Sequence, residues 1–172
     1  MKKKRGQVWI ETITYTLVAL VIIGLVLAFA RPEIQRIQDK TIIDQSISIV
    51  NELSQIMEIV KVGGTGTKRR VELNIKKGEI EIDSLNDSLI FRMEGKYQYS
   101  ELDQVYVEGK LNILTQQKGD FYNISVEKNY ITINLTYSGE EKNKILTESP
   151  TPYVIFISNK GGSSQNIDFE LQ

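Results

Sequence analysis

The chain has 172 residues, 25% charged and 41% hydrophobic, with a formal net charge of −1, ordinary values for one folded domain and an appendage. It contains no cysteine and no histidine, which excludes disulfides, zinc sites of the Cys/His kinds, thiol nucleophiles and acid–base work by an unperturbed imidazole. The balanced charge argues against a nucleic-acid surface, and neither a Gly-rich phosphate loop nor a Gly-x-Ser-x-Gly elbow occurs. The expectation is a protein with no catalytic residue, no cofactor and no metal.

Lys2, Lys3, Lys4 and Arg5 precede Gly6, and after Gln7, Val8, Trp9, Ile10 and Glu11 comes a run from Ile13 to Ala30 without a charge. Basic residues before an apolar span predict that this end stays in the cytoplasm and the remainder is exported. As a helix, Thr12 to Ala30 is about 28 Å long, close to the hydrocarbon thickness of about 30 Å. Leu27, Ala28, Phe29, Ala30 and Arg31 imitate a signal-peptidase site only loosely, so the span is read as retained.

Beyond it, Ile34, Ile37, Ile43, Ile47, Val50, Leu53, Met57 and Val60 recur mostly at steps of three and four. Glu33, Arg36, Asp39, Lys40, Asp44 and Glu52 fall between them, which predicts one apolar stripe on a water-exposed helix. Pro32 should kink or interrupt the helix at the membrane boundary, because it removes an intrahelical hydrogen bond. Gly63 and Gly64 supply the stop.

After Gly66 the period becomes two. Val71 to Ile75 and Ile80 to Ile82 flank Lys77-Gly78; Leu89 to Met93 and Tyr97 to Tyr99 flank Glu94-Gly95; Val105 to Val107 and Leu111 to Leu114 flank Glu108-Gly109. Tyr122 to Val126 and Tyr130 to Tyr137 flank Lys128-Asn129, and Tyr153 to Ser158 with Ile167 to Leu171 enclose the last loop. Each pair reads as a hairpin. The expected fold class is α+β: a long N-terminal helix, half membrane-spanning and half amphipathic, packed on an antiparallel sandwich or curled sheet of nine or ten strands.

Lys2-Lys3-Lys4-Arg5-Gly6, followed by Gln7-Val8-Trp9-Ile10-Glu11 and the apolar run, resembles the class III signal of type IV pilins, the archaeal ones above all. Trp9 departs from the serine common at that position in the archaeal pattern. The resemblance covers residues 2–30, and no family signature covers the β region. It implies cleavage by a prepilin peptidase between Gly6 and Gln7, which makes Glu11 the fifth mature residue. It also implies filament assembly with identical or related pilin subunits by the pilus machinery. The organisation that follows is a leader (1–6), a transmembrane and filament-core helix (7–31), an amphipathic extension (32–62) and an extracytoplasmic β-rich domain (63–172).

Losing the leader's four basic residues leaves 17 basic against 22 acidic side chains, a net −5. Glu11 beside hydrocarbon is costly unless neutralised or paired; the resemblance implies pairing with the new α-amino group of a neighbouring Gln7, and the bland alternative is a carboxylate that snorkels into the headgroups. Three Asn-x-Ser/Thr triplets, at Asn86, Asn123 and Asn134, are candidate N-glycosylation sites, with Asn86 in the most polar turn. Asp83, Asn86 and Asp87 read as a turn instead of a calcium loop, and Lys68-Arg69-Arg70 as a solvated loop edge. The rival reading of the whole chain is a single-pass, membrane-anchored binding protein that never polymerises.

Overall fold

A computed structural model describes residues 4–162 and 165–172, with side chains from Trp9 onward. Met1 to Lys3 of the expected leader, and Ser163 and Ser164 of the last loop, lie outside the described residues, as do the side chains of Lys4 to Val8.

One helix, α1 (Lys4–Val62), runs through both sequence halves. Pro32 sits inside it and does not interrupt it; its missing N–H deprives the Ala28 carbonyl of its usual donor, at an exposed position. The helix ends where expected: Gly63 donates its backbone N–H to Ile59 at 3.0 Å, and Gly64 takes the left-handed conformation (φ 79°).

Among the described residues ten strands follow: β1 (Lys68–Leu73), β2 (Glu79–Asp83), β3 (Ser88–Gly95), β4 (Val105–Glu108), β5 (Leu111–Lys118), β6 (Phe121–Asn129), β7 (Ile133–Tyr137), β8 (Lys144–Thr147), β9 (Tyr153–Gly161) and β10 (Gln165–Leu171). They form two sheets, ordered β1-β9-β10-β7 and β4-β5-β6-β3-β2-β8. All pairs are antiparallel except β7 with β10, which is parallel. The α+β class holds, and both sheets contribute to a single apolar core with α1.

Two of the five expected hairpins exist, β4–β5 and β9–β10. The other three are corrected by the structure. β1 pairs with β9, not with β2. Its chain leaves through buried Ile75, whose carbonyl accepts from the Ser149 N–H at 3.2 Å, so Lys77-Gly78 belongs to a crossing between sheets. Gly78 is required there by close approach, because a Cβ at φ 85° would run into the Arg92 carbonyl oxygen of β3. β6 and β7 likewise part into different sheets, and Tyr130 at their junction donates its backbone N–H to Asp87 at 2.9 Å.

Tyr97 to Tyr99 is not a strand, because Lys96 bonds to the helix and draws the chain off the sheet. The Lys68-Arg69-Arg70 group is the exposed start of β1 instead of a loop edge, with Lys68 paired to Glu170 at 2.7 Å.

The amphipathic stripe docks as expected from its middle onward. Ile43, Ile47, Val50, Leu53, Met57 and Val60 are buried, facing β1, β3, β6, β9 and β10. Polar contacts fix the register. Ser54 Oγ donates to the Val50 carbonyl, so the Tyr130 hydroxyl donates to Ser54 at 2.6 Å, and burial pushes the Tyr130 hydroxyl up to about 12. At the helix end, Asn159 Nδ2 of β9 donates to the Val60 carbonyl at 3.3 Å, satisfying one of the orphan acceptors of the last turn.

Candidate functional site: an unpartnered apolar helix and its clamp

From Trp9 to Gln38 the helix has no core to bury. Every residue there is exposed except Ala30, which is half-buried, and none of its most apolar stretch is covered by the rest of the chain. Trp9, Tyr15, Leu20 and Phe29 are between 64 and 79% exposed, a load of apolar surface that water-soluble monomers rarely present. By length and composition this segment is able to cross a membrane. Thr14 and Thr16 do not interrupt its apolar character, since their hydroxyls donate to the Ile10 and Thr12 carbonyls at 2.8 Å.

Among the sequence-derived site residues, Gly6 and Gln7 lie on the helical backbone at its start. Glu11 is exposed one helical turn later, and no ion pair among the described residues includes it. Pro32 is on the same exposed rod. Gly6, Gln7 and Glu11 therefore share one end of the helix, remote from the sheets.

The three sequons do not gather. Asn86 is exposed in the β2–β3 turn, where its backbone N–H and its Nδ2 donate to the Asp83 carboxylate at 3.2 and 2.8 Å. Burial works to raise the Asp83 carboxyl, but the hydrogen bonds from Asn86, Asn143 and Leu85 outweigh it and hold the group below its usual range. The turn reading of Asp83, Asn86 and Asp87 stands. Asn123 is half-buried in β6 between β3 and β5, and Asn134 half-buried in β7 beside β10.

The stripe is shorter than its sequence suggests. Ile34 and Ile37 are 51 and 60% exposed, and the first buried residue is Asp39, which the sequence reading put on the wet side. Its carboxylate accepts from the Lys96 backbone N–H at 2.6 Å through one oxygen and from the Lys77 ammonium through the other. Gly95 lies so near that a Cβ there would sit 2.8 Å from Asp39 Oδ2. Asp39 thus clamps the helix to the end of β3 at the level where the free rod begins. A signal was present: Asp39 precedes Ile43 by four, in the register of the apolar stripe itself.

Beside this clamp the helix, the segment Lys96–Gln98 and Tyr122 enclose an open groove of about 480 Å³. At the opposite end of the docked helix a second groove of about 690 Å³ lies between residues near Gln55 and the β6–β7 loop. No family model, no curated protein and no solved structure matches this chain.

Proposed function

We propose that the chain is a structural subunit, a pilin or minor pilin-like protein, of an archaeal-type surface filament. In this reading a prepilin peptidase cleaves between Gly6 and Gln7, the subunit waits in the membrane with its N-terminus cytoplasmic and its β domain outside, and the helix then becomes filament core. The supporting observation is the bare helix: about 45 Å of rod from Trp9 to Gln38 that the chain's own β domain leaves uncovered. Such a surface calls for lipid before assembly and for neighbouring helices after it, since removing apolar area from water contributes roughly 25 cal/mol per Å².

The class III resemblance of residues 2–30 adds the processing step that a plain anchor lacks. Continuity of α1 through Pro32 supports the same reading mechanically, because one helix carries load from the rod into the six buried side chains of the docked half. Glu11, at the processed end, is assigned to subunit register through a neighbour's Gln7 amine.

The test is the intact mass of the membrane-extracted protein together with electron microscopy of sheared surface material. A mass starting at Gln7 and the protein's presence in filaments are expected. A retained basic leader and monodisperse anchored monomers would instead establish the tether.

A further inference from the structure

We infer that the groove beside the Asp39 clamp is a docking site for the phosphate of an anionic membrane lipid, holding the β domain against the headgroups before assembly. The inference rests on the reading of the apolar rod as a membrane span. The groove is lined by Glu33, Arg36 and Lys40 of α1 and by Lys96, Tyr97 and Tyr122 of the domain.

Position along the helix is the first argument. The charge-free run ends at Ala30, and Arg36 lies about 9 Å and Lys40 about 15 Å beyond it at 1.5 Å per residue. The headgroup layer is about 5–8 Å deep on each side of the hydrocarbon. Arg36 therefore stands at the outer edge of the headgroup layer and Lys40 about 7 Å outside it, and because side chains on a helix lean toward its N-terminus, their long stems reach back toward the phosphates.

Charge is the second. Arg36 faces Glu33 at 3.8 Å with both side chains more than 60% exposed, a weak pair. Lys40 and Lys96 have no carboxylate within ion-pair distance among the described residues. Their ammonium groups lie over aromatic faces instead, Lys40 6.0 Å from the Tyr97 ring centre and Lys96 5.7 Å from that of Phe121. Phe121, 40% exposed, opens β6 next to the groove and pairs across the β5–β6 turn with Lys118, which faces Glu94 at 4.0 Å. Two free cations with aromatic residues around the exit of an apolar helix are what an anionic interface recognises.

The clamp is the third. The Lys96 backbone N–H is held by buried Asp39, so the cationic segment is fixed to the helix at one height and needs no ordering when a headgroup arrives. The distant groove also carries two lysines, Lys110 and Lys128, yet its helix residues stand about 28 Å beyond Arg36, several screening lengths from the headgroups. It serves as the internal control.

The experiment uses the full chain in neutral vesicles, tested first for carbonate resistance and then doped with increasing phosphatidylglycerol, while acylation of each lysine is read by mass spectrometry. Phosphatidylglycerol should protect Lys40 and Lys96 and leave Lys110 and Lys128 unchanged. Lys40→Gln, read through Lys96, and Lys96→Gln, read through Lys40, should each raise the half-protecting lipid fraction about fivefold. The Lys110→Gln/Lys128→Gln double variant should not move it.

Insertion with equal reactivity in neutral and anionic vesicles would overturn the site alone, whereas failure to insert would overturn the span and the site together. Equal protection by inorganic phosphate would make the groove a soluble-anion site and refute the lipid assignment. Protection that follows protein concentration without anionic lipid would make it a contact between copies and refute it as well.

Discussion

Removing the docked half of the helix should unfold the β domain. Compare a fragment of residues 33–172 with one of residues 65–172. The longer keeps Ile43, Ile47, Val50, Leu53, Met57 and Val60, all at most 8% exposed and all within the common core of both sheets. At about 2 kcal/mol for each fully buried side chain, the six contribute about 12 kcal/mol, an upper figure because the unfolded chain already buries part of that area. Typical net stability is about 5–15 kcal/mol, so the shorter fragment should lack a cooperative urea transition and bind a hydrophobic dye.

Point variants of the longer fragment refine the test. Leu53→Ala should cost about 3 kcal/mol with an unchanged denaturant slope. Ile37→Ser, on the exposed side of the Asp39 boundary, should stay within about 0.5 kcal/mol. Circular dichroism and tyrosine fluorescence report the transition, since the single tryptophan, Trp9, is absent from both fragments. A cooperative transition of the 65–172 fragment at the same midpoint as the longer one would refute the helix as a core element.

Asp39→Ala removes two hydrogen bonds to a buried carboxylate, and because Lys77 is 36% exposed and rehydrates, the expected loss is about 2–3 kcal/mol by urea denaturation of the 33–172 fragment. Glu170 is held down to about 2 by hydrogen bonds from Lys68 and then Lys160. Its folded value lies below the ordinary glutamate value of 4.5, so its contribution is present above about 4.5 and lost as pH falls toward 2. With the side chain 33% exposed, screening leaves about 1 kcal/mol, and Glu170→Gln should flatten that part of a stability–pH curve. A wild-type curve no steeper than that of the variant between pH 5 and 2 would deny the linkage.

Glu11→Gln should leave membrane insertion and leader removal unchanged while surface filaments become sparse or absent in electron micrographs. Normal filament number and length would reduce Glu11 to an interfacial residue.

Local periodicity made much of this protein legible from its residues. A charge-free run, a stripe at steps of three and four, a Gly-Gly stop and alternation of period two are properties of short windows, so the helix, its end and most strand positions followed from sequence alone. The adjacent hairpins at Glu108-Gly109 and after Tyr153 also followed, because nothing draws their strands apart. Partner choice elsewhere did not. Ile75 and the Tyr130 junction carry the chain from one sheet to the other, and which sheet accepts a strand depends on buried faces contributed by residues far along the chain.

The same limit hid Asp39. Its register lay within the apolar stripe, but only the approach of Gly95, the Lys96 backbone and the Lys77 ammonium turned a charged residue into a buried clamp. Burial of a carboxylate is decided by the donors that surround it, and those donors come from β3 and from the crossing between sheets, which no local pattern brings together.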